Sequence, residues 1–433
     1  MKMRHAKKRL IVASVLATSL VAAMTGCVSG TAGGSDGNNG ELTIWTHNGG
    51  NTEELAAVQA IVDGYNTSQT ETTVKLQAFP QASYNDSVVA AAASGKLPCI
   101  VDIDGPNVPN WAWAKYLTPL DLSVDLDENL PSTLGIWNGE TYSVGYYDVA
   151  LAMFARKSVL ADAGIREATL DEPWTQEEFG DALKTLKADG TWQNPLDIGT
   201  GDVGEWYPYA FSPLLQSFGG DLIERDEYQS ADGVLNGPEA LKWAEWMQSL
   251  ATDGYIATKS GADSGLDFQN NVTAIQYGGS WAAANNAAAL GDDLAVMPSI
   301  DLGEGAKIGG GSWQWGVTTG CADTEAAMDY LSYSLSPENI AAVAVATATI
   351  PATDAAAALV PGFEEGGNLA IFREFSAQSA VLRPETPAYP FIATEFTKAT
   401  QDIINGGDPQ GTLDAAVAAI DANIKSNGGY TQK

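Results

Sequence analysis

Residues 41–103 read ELTIWTHNGGNTEELAAVQAIVDGYNTSQTETTVKLQAFPQASYNDSVVAAAASGKLPCIVDI, and the pattern of this stretch decides the fold class. Glu41-Leu42-Thr43-Ile44-Trp45 is a short β-rich run. Leu55, Val58, Val62 and Tyr65 then recur at spacings of three and four, the period of an amphipathic helix. Val74 to Phe79 alternates as a strand does. An Ala-rich helix is expected from about Tyr84 to Ser94, stopped by Gly95 and Pro98, and Ile100 to Ile103 makes a third strand. Strand, helix, strand, helix, strand requires crossover connections, so the chain is α/β with a mainly parallel sheet.

The alternation continues toward the C-terminus. Tyr142 to Phe154 is a long apolar, aromatic stretch. Thr175 and Glu178 have the spacing of a capping box at the start of a helix. Gly237-Pro238 opens another helix, with proline at its first position. Asn271 to Tyr277 and Trp313 to Thr319 are strand-like. Helices are expected from Asp323 through Leu335, after the Ser336-Pro337-Glu338 cap, and from Thr412 to Ile424. No repeat of fixed period is apparent.

Toward the N-terminus the pattern changes. A basic stretch, Met1 to Arg9, precedes an apolar run from Leu10 to Met24, which is the form of a secretory signal. Met24-Thr25-Gly26-Cys27 resembles a bacterial lipobox, although Leu is commoner than Met at its first position. On that reading residues 1–26 are removed and Cys27 carries a lipid; the other reading is a plain signal cut elsewhere. Residues 27–40 are Gly-rich and polar, a flexible tether. Cys99 and Cys321 remain, in a compartment that permits a disulfide; they form one bridge or two buried thiols.

Composition excludes several functions. The 433-residue chain is 45% hydrophobic and 18% charged, enough for two packed lobes. Its net charge is −32, and removing the five positive charges of residues 1–26 leaves about −37, which argues against a nucleic-acid partner. Of the two histidines, His5 lies in the signal, so His47 alone cannot build a His-rich metal site, and no metal or cofactor is expected. The acidic run Asp121–Glu128 lacks the glycine turn of a calcium loop. A P-loop pattern is missing.

Several strings resemble, in order, the family of extracellular solute-binding proteins that includes the maltose-binding protein. They are LTIWT (42–46), SGKLPCIVDID (94–104), NGETYSVGYYDVALAMFARKSVLADAGI (138–165), EPWTQEEF (172–179), FSPLLQSFGGDLI (211–223), AIQYGGSW (274–281), WQWGVTTGCADTEAAMDYLSYSLSPEN (313–339) and TIPAT (349–353). In the family the proline of the second string is usually followed by Asp. Cys99 stands there instead, a departure that suits a local structural use, a bond to Cys321 among them. The resemblance implies two α/β lobes joined by a hinge that the chain crosses three times, with a ligand cleft between them. Lobe one would hold residues 41–148 and 317–365, and lobe two residues 149–316 and 366–433. It also implies a monomer on the outer face of the cytoplasmic membrane, anchored through Cys27, that hands an oligosaccharide to the permease subunits of an ABC importer.

A sugar offers flat C–H faces and a rim of hydroxyls, so its site needs aromatic rings beside Asp, Glu, Asn or Arg. Glu205, Trp206 and Tyr207 match a family segment where an acid and an aromatic touch sugar. Trp281 matches a stacking Trp, and Tyr389 falls near another stacking aromatic. In the first lobe, His47 and Asn48 follow the first strand. Asp104 and Asn107 follow the third, with Trp111 and Trp113 close behind; on a helix these two cannot face the same way. Asp102 is read as structural. Trp313 flanks the second hinge crossing. Arg383 reads equally as a fork for hydroxyls or as an exposed ion pair. Each Trp could instead be core. Two other functions fit the composition: the same fold binding a polyamine or another non-sugar solute, and a secreted glycoside hydrolase using two carboxylates. The first reading involves no catalysis.

Overall fold

The computed structural model describes residues 40–261, 263–364, 367 and 369–431. The signal, Cys27, most of the tether and the 365/366 boundary lie outside the described residues.

The strand–helix units of the opening stretch fold as their pattern predicts, but the expected mainly parallel sheet is mixed, because the strands that join it from elsewhere in the chain pair antiparallel. Parallel strands Glu41–Thr46, Thr73–Ala78 and Ile100–Asp104 are linked by helices Thr52–Ser68 and Gln81–Ala93. Period-two alternation sends Leu42, Ile44, Val74 and Ile100 into one apolar cluster with Val58, Ile61, Val62 and Tyr65 of the first helix. Trp45, Val101 and Ile103 enter another cluster, with Tyr84 and Val88 of the second helix. The helices therefore cover opposite faces of the sheet, as a doubly covered parallel sheet requires. Asn51 caps the first helix by accepting from the Glu54 N–H, and Gly95 ends the turn after the second at φ +66°.

Trp313–Thr318 joins this sheet antiparallel to Ile100–Asp104, with Trp313 opposite Asp104, followed by Glu140–Val144 and Leu134–Trp137. A second sheet runs Leu294–Met297, Leu151–Arg156, Ile275–Gly279, Leu196–Asp197. The expected capping box is present at Thr175 and Glu178. Helices Pro238–Thr252, Thr324–Ser334, Pro337–Thr347 and Pro409–Ser426 occupy the expected places. Each sheet is the centre of one lobe.

The chain passes from the first sheet to the second between Tyr147 and Leu151, and returns through Gly310–Ser312. Since all of Trp313–Thr318 lies in the first sheet, this return precedes the expected boundary at 316/317 by several residues. The buried Asp148 carboxylate ties the crossings together. It accepts from the Val149 and Gly311 N–H groups (2.8 and 2.9 Å) and from the Ser376 hydroxyl (2.8 Å), the last on helix Ala370–Ser379.

Cys99 and Cys321 are bonded to each other across 222 residues. The bridge joins the start of Ile100–Asp104 to the end of Trp313–Thr318, adjacent strands already paired at Ile100 and Val317. Disulfides typically contribute 2–4 kcal/mol. Here the paired strands already restrain the ends, so the Cys99→Ser/Cys321→Ser variant should lose about 2 kcal/mol. Thermal unfolding with and without reductant would check this: the native protein should drop by a few degrees on reduction and the variant should not respond.

Candidate binding cleft

Three groups of side chains meet where the lobes face each other. The first is an ion-pair network centred on Arg383. Its Nη1 donates to Asp104 Oδ2 (2.8 Å) and Glu205 Oε2 (3.1 Å), and its Nη2 donates to Asp104 Oδ1 (2.7 Å). The Tyr389 hydroxyl donates to the same Glu205 oxygen. Asp104 ends a first-lobe strand, whereas Glu205 and Tyr389 begin second-lobe helices, so one guanidinium spans the cleft. Arg383 and Asp104 are only 5% and 4% exposed, which excludes the exposed ion pair as the account of Arg383. Burial and the nearby Asp104 charge push the Glu205 carboxyl up, against the opposing pull of Arg383.

The second group is an aromatic corner in the second lobe. Trp281 meets Trp206 edge to face (6.3 Å between centroids) and lies tilted against Tyr209 (6.3 Å). Tyr209 in turn lies under the Arg383 guanidinium at 5.2 Å, so corner and network are continuous. Two close approaches shape the corner. A Cβ on Gly279 would fall within 2.0 Å of the Trp281 ring, so glycine lets this ring fold back over the strand end. A Cβ on Gly309 would come within 2.3 Å of the Tyr209 carbonyl oxygen. Trp281 is 43% exposed, an unusual position for a Trp and one that leaves a ring face available. Trp206 is half-buried and anchored by its Nε1 to the Ile198 carbonyl (2.9 Å).

The third group is in the first lobe. Trp313 stacks on His47 at 3.6 Å and 8°. His47 Nδ1 is 2.7 Å from Asp102 Oδ2, and the Thr46 hydroxyl donates to the same oxygen, so Asp102 is structural as expected. Burial acts to lower the His47 imidazole, but the charge and hydrogen bond of Asp102 outweigh it and hold it above its ordinary value. Asn48 is buried beside them, its amide donating to the Thr46 hydroxyl (3.0 Å). Asn107 is buried at the start of the next helix.

Other expected residues point elsewhere. Trp111 is 2% exposed and packs in the apolar cluster with Tyr84, Val88 and Val101, so it is core rather than a cleft ring. Trp113, on the same short helix, instead meets Tyr430 edge to face at 5.0 Å. Tyr207 is 1% exposed; its hydroxyl donates to the Thr200 carbonyl and its ring meets Phe211, which also makes it core. Tyr389 is fully buried and orients Glu205 and Arg383 instead of offering a face. Tyr209 was not expected. The helix begins at Trp206, so positions 206 and 209 share a face while 207 turns inward, and helical phase would have identified it.

Four buried polar atoms of these groups have no hydrogen-bond partner among the described residues: the Tyr209 hydroxyl, Arg383 Nε, Asn107 Nδ2 and Asn48 Oδ1. Such atoms are costly to bury unless a ligand or solvent satisfies them. The cavity beside Arg383, between Gly105–Pro109 and Gly310–Gly311, is only about 30 Å³. Small-molecule sites usually need roughly 300 Å³ or more, so with Arg383 bridging Asp104 and Glu205 there is no room for a sugar at this point.

The fold has known counterparts. The chain is 24% identical over 368 residues to the diacetylchitobiose binding protein DasA of Streptomyces coelicolor, covering 80% of this chain and 83% of that one. The GacH receptor of Streptomyces glaucescens, solved unliganded and with acarbose, superposes with a TM-score of 0.75 at 20% identity, over 91% of this chain and 100% of that one. A cyclic alpha-maltosyl-1,6-maltose binding protein from Arthrobacter globiformis gives 0.71 at 26% identity, over 89% and 99%. The family model for bacterial extracellular solute-binding proteins matches residues 60–370, well over half of the sequence, and with two lobes closed on a polar and aromatic cleft this chain belongs to that family.

Proposed function

We propose that this protein captures an oligosaccharide between its lobes and delivers it to the permease of an ABC importer. The observation that carries the reading is an exposed Trp281 in an aromatic corner continuous with buried, unsatisfied polar atoms of the cleft. Trp281 and the half-buried Trp206 and Trp313 supply ring faces, with the buried Tyr209 linking the corner to Arg383. Asp104, Glu205 and Arg383 supply charge-assisted bonds to hydroxyls, and the Asn107 amide a neutral donor. The relatives named for diacetylchitobiose and cyclic alpha-maltosyl-1,6-maltose, and the GacH receptor solved with acarbose, support the same class of ligand. No reaction is assigned.

The lobes are residues 41 to about 148 with 313 to about 365, and about 149–310 with about 366–431. Opening about the Asp148 tie admits ligand, and closure re-forms the Arg383 bridge. Cys27 anchors the protein outside the cytoplasmic membrane, a role supported by the lipobox-like sequence before it. Among the described residues no helix is long and apolar enough to cross a membrane.

A thermal-shift panel tests the reading. A ligand that binds only the folded protein raises its midpoint in proportion to the logarithm of concentration over Kd. Oligosaccharides of one linkage class should raise it, with monosaccharides weaker. A response to spermidine alone would replace the sugar with a polyamine.

A further inference from the structure

We infer that the cleft selects neutral oligosaccharides and rejects those carrying a carboxylate, with the Asp104–Arg383–Glu205 network as the determinant. This rests on the oligosaccharide reading and narrows it.

The network places two carboxylates against one guanidinium. Three of the five guanidinium N–H groups are already committed, two to Asp104 and one to Glu205. What remains, Nε included, suits neutral hydroxyl acceptors. A carboxylate on the ligand would have to compete with Asp104 or Glu205 for Arg383, leaving the displaced acid buried without its partner. Burial first, and then the Asp104 charge, push the Glu205 carboxyl up, which accords with two acids sharing one cation. The loop before the aromatic corner adds to this. Asp202 Oδ2 and the Trp206 indole nitrogen each lie 2.6 Å from the position a Gly199 Cβ would take, which puts this acid near the corner. Burial, with Asp197 and Asp263 nearby, raises Asp202 to about 6. At long range, a chain of net charge −32 repels anions before they reach the cleft.

The test is equilibrium titration of the purified protein with maltotriose, mannotriose and diacetylchitobiose, each beside its counterpart with the C6 hydroxymethyl oxidised to a carboxylate. For whichever neutral sugar binds, the carboxylate form should bind at least about 100-fold more weakly, and Glu205→Gln should narrow that ratio. Should the variant fold poorly, Asp104→Asn makes the same comparison. A carboxylate form that binds wild type within about fivefold of its neutral parent overturns the specificity. A ratio unchanged in both variants overturns the assigned determinant. Silence toward all the neutral sugars in a folded sample defeats the oligosaccharide reading and this inference with it.

Discussion

Replacing Arg383 by Met should lower oligosaccharide affinity at least about 100-fold while costing the folded protein far less. Removing one partner of a buried ion pair costs about 3–5 kcal/mol, because the remaining charge stays desolvated. Here two carboxylates, Asp104 and Glu205, would be left facing each other across the closed cleft. They belong to different lobes, so opening relieves both the repulsion and the desolvation. The penalty therefore falls on the closed state rather than on folding. A shift of that equilibrium by about 3 kcal/mol reduces apparent affinity about 150-fold. Small-angle scattering of Arg383→Met with ligand should show the larger, open radius of gyration, whereas wild type contracts. Arg383→Lys should recover only part of the affinity, since an ammonium cannot bridge Asp104 through two nitrogens and still reach Glu205. A collapse of thermal stability with ligand affinity retained would show that the network is structural only.

Trp281→Ala should separate affinity from stability in another way. The ring is 43% exposed, so its loss leaves little cavity, and surface substitutions usually stay within about 0.5 kcal/mol of neutral. On a bound sugar the same ring would be covered, and a Trp at the centre of a binding surface commonly carries about 2–3 kcal/mol, a 30- to 150-fold loss. Tyr207→Phe provides the contrast. Its hydroxyl serves the Thr200 carbonyl inside the second lobe, so this change should lower stability by about 1 kcal/mol and leave affinity unchanged.

The parts legible in the sequence are those encoded locally. Alternation and helical spacing located the strand–helix units of residues 41–104, and the Thr175–Glu178 box, Pro238 and Ser336 marked helix starts because caps depend on few neighbours. The discontinuous lobes came from the resemblance alone, since no local pattern says that Trp313–Thr318 returns to the first sheet. The site was half legible. Residue type and a strand end made Asp104 and Arg383 candidates, and the family resemblance added Glu205 and Trp281. The direction of a ring, however, depends on helical phase. That phase turned Trp111 and Tyr207 into the core and brought Tyr209 under Arg383. Arg383 itself had two sequence-level explanations. The structure supplies a third, a buried bridge between lobes whose partners lie 178 and 279 residues away.

The most direct test of the central claim, oligosaccharide capture between the lobes, is calorimetric titration of wild type and Trp281→Ala with whichever oligosaccharide stabilises the wild type. Micromolar one-to-one binding, weakened at least about 30-fold in the variant with its thermal midpoint nearly unchanged, is the predicted result. Equal affinity in the two proteins would place the sugar away from the aromatic corner and contradict the account.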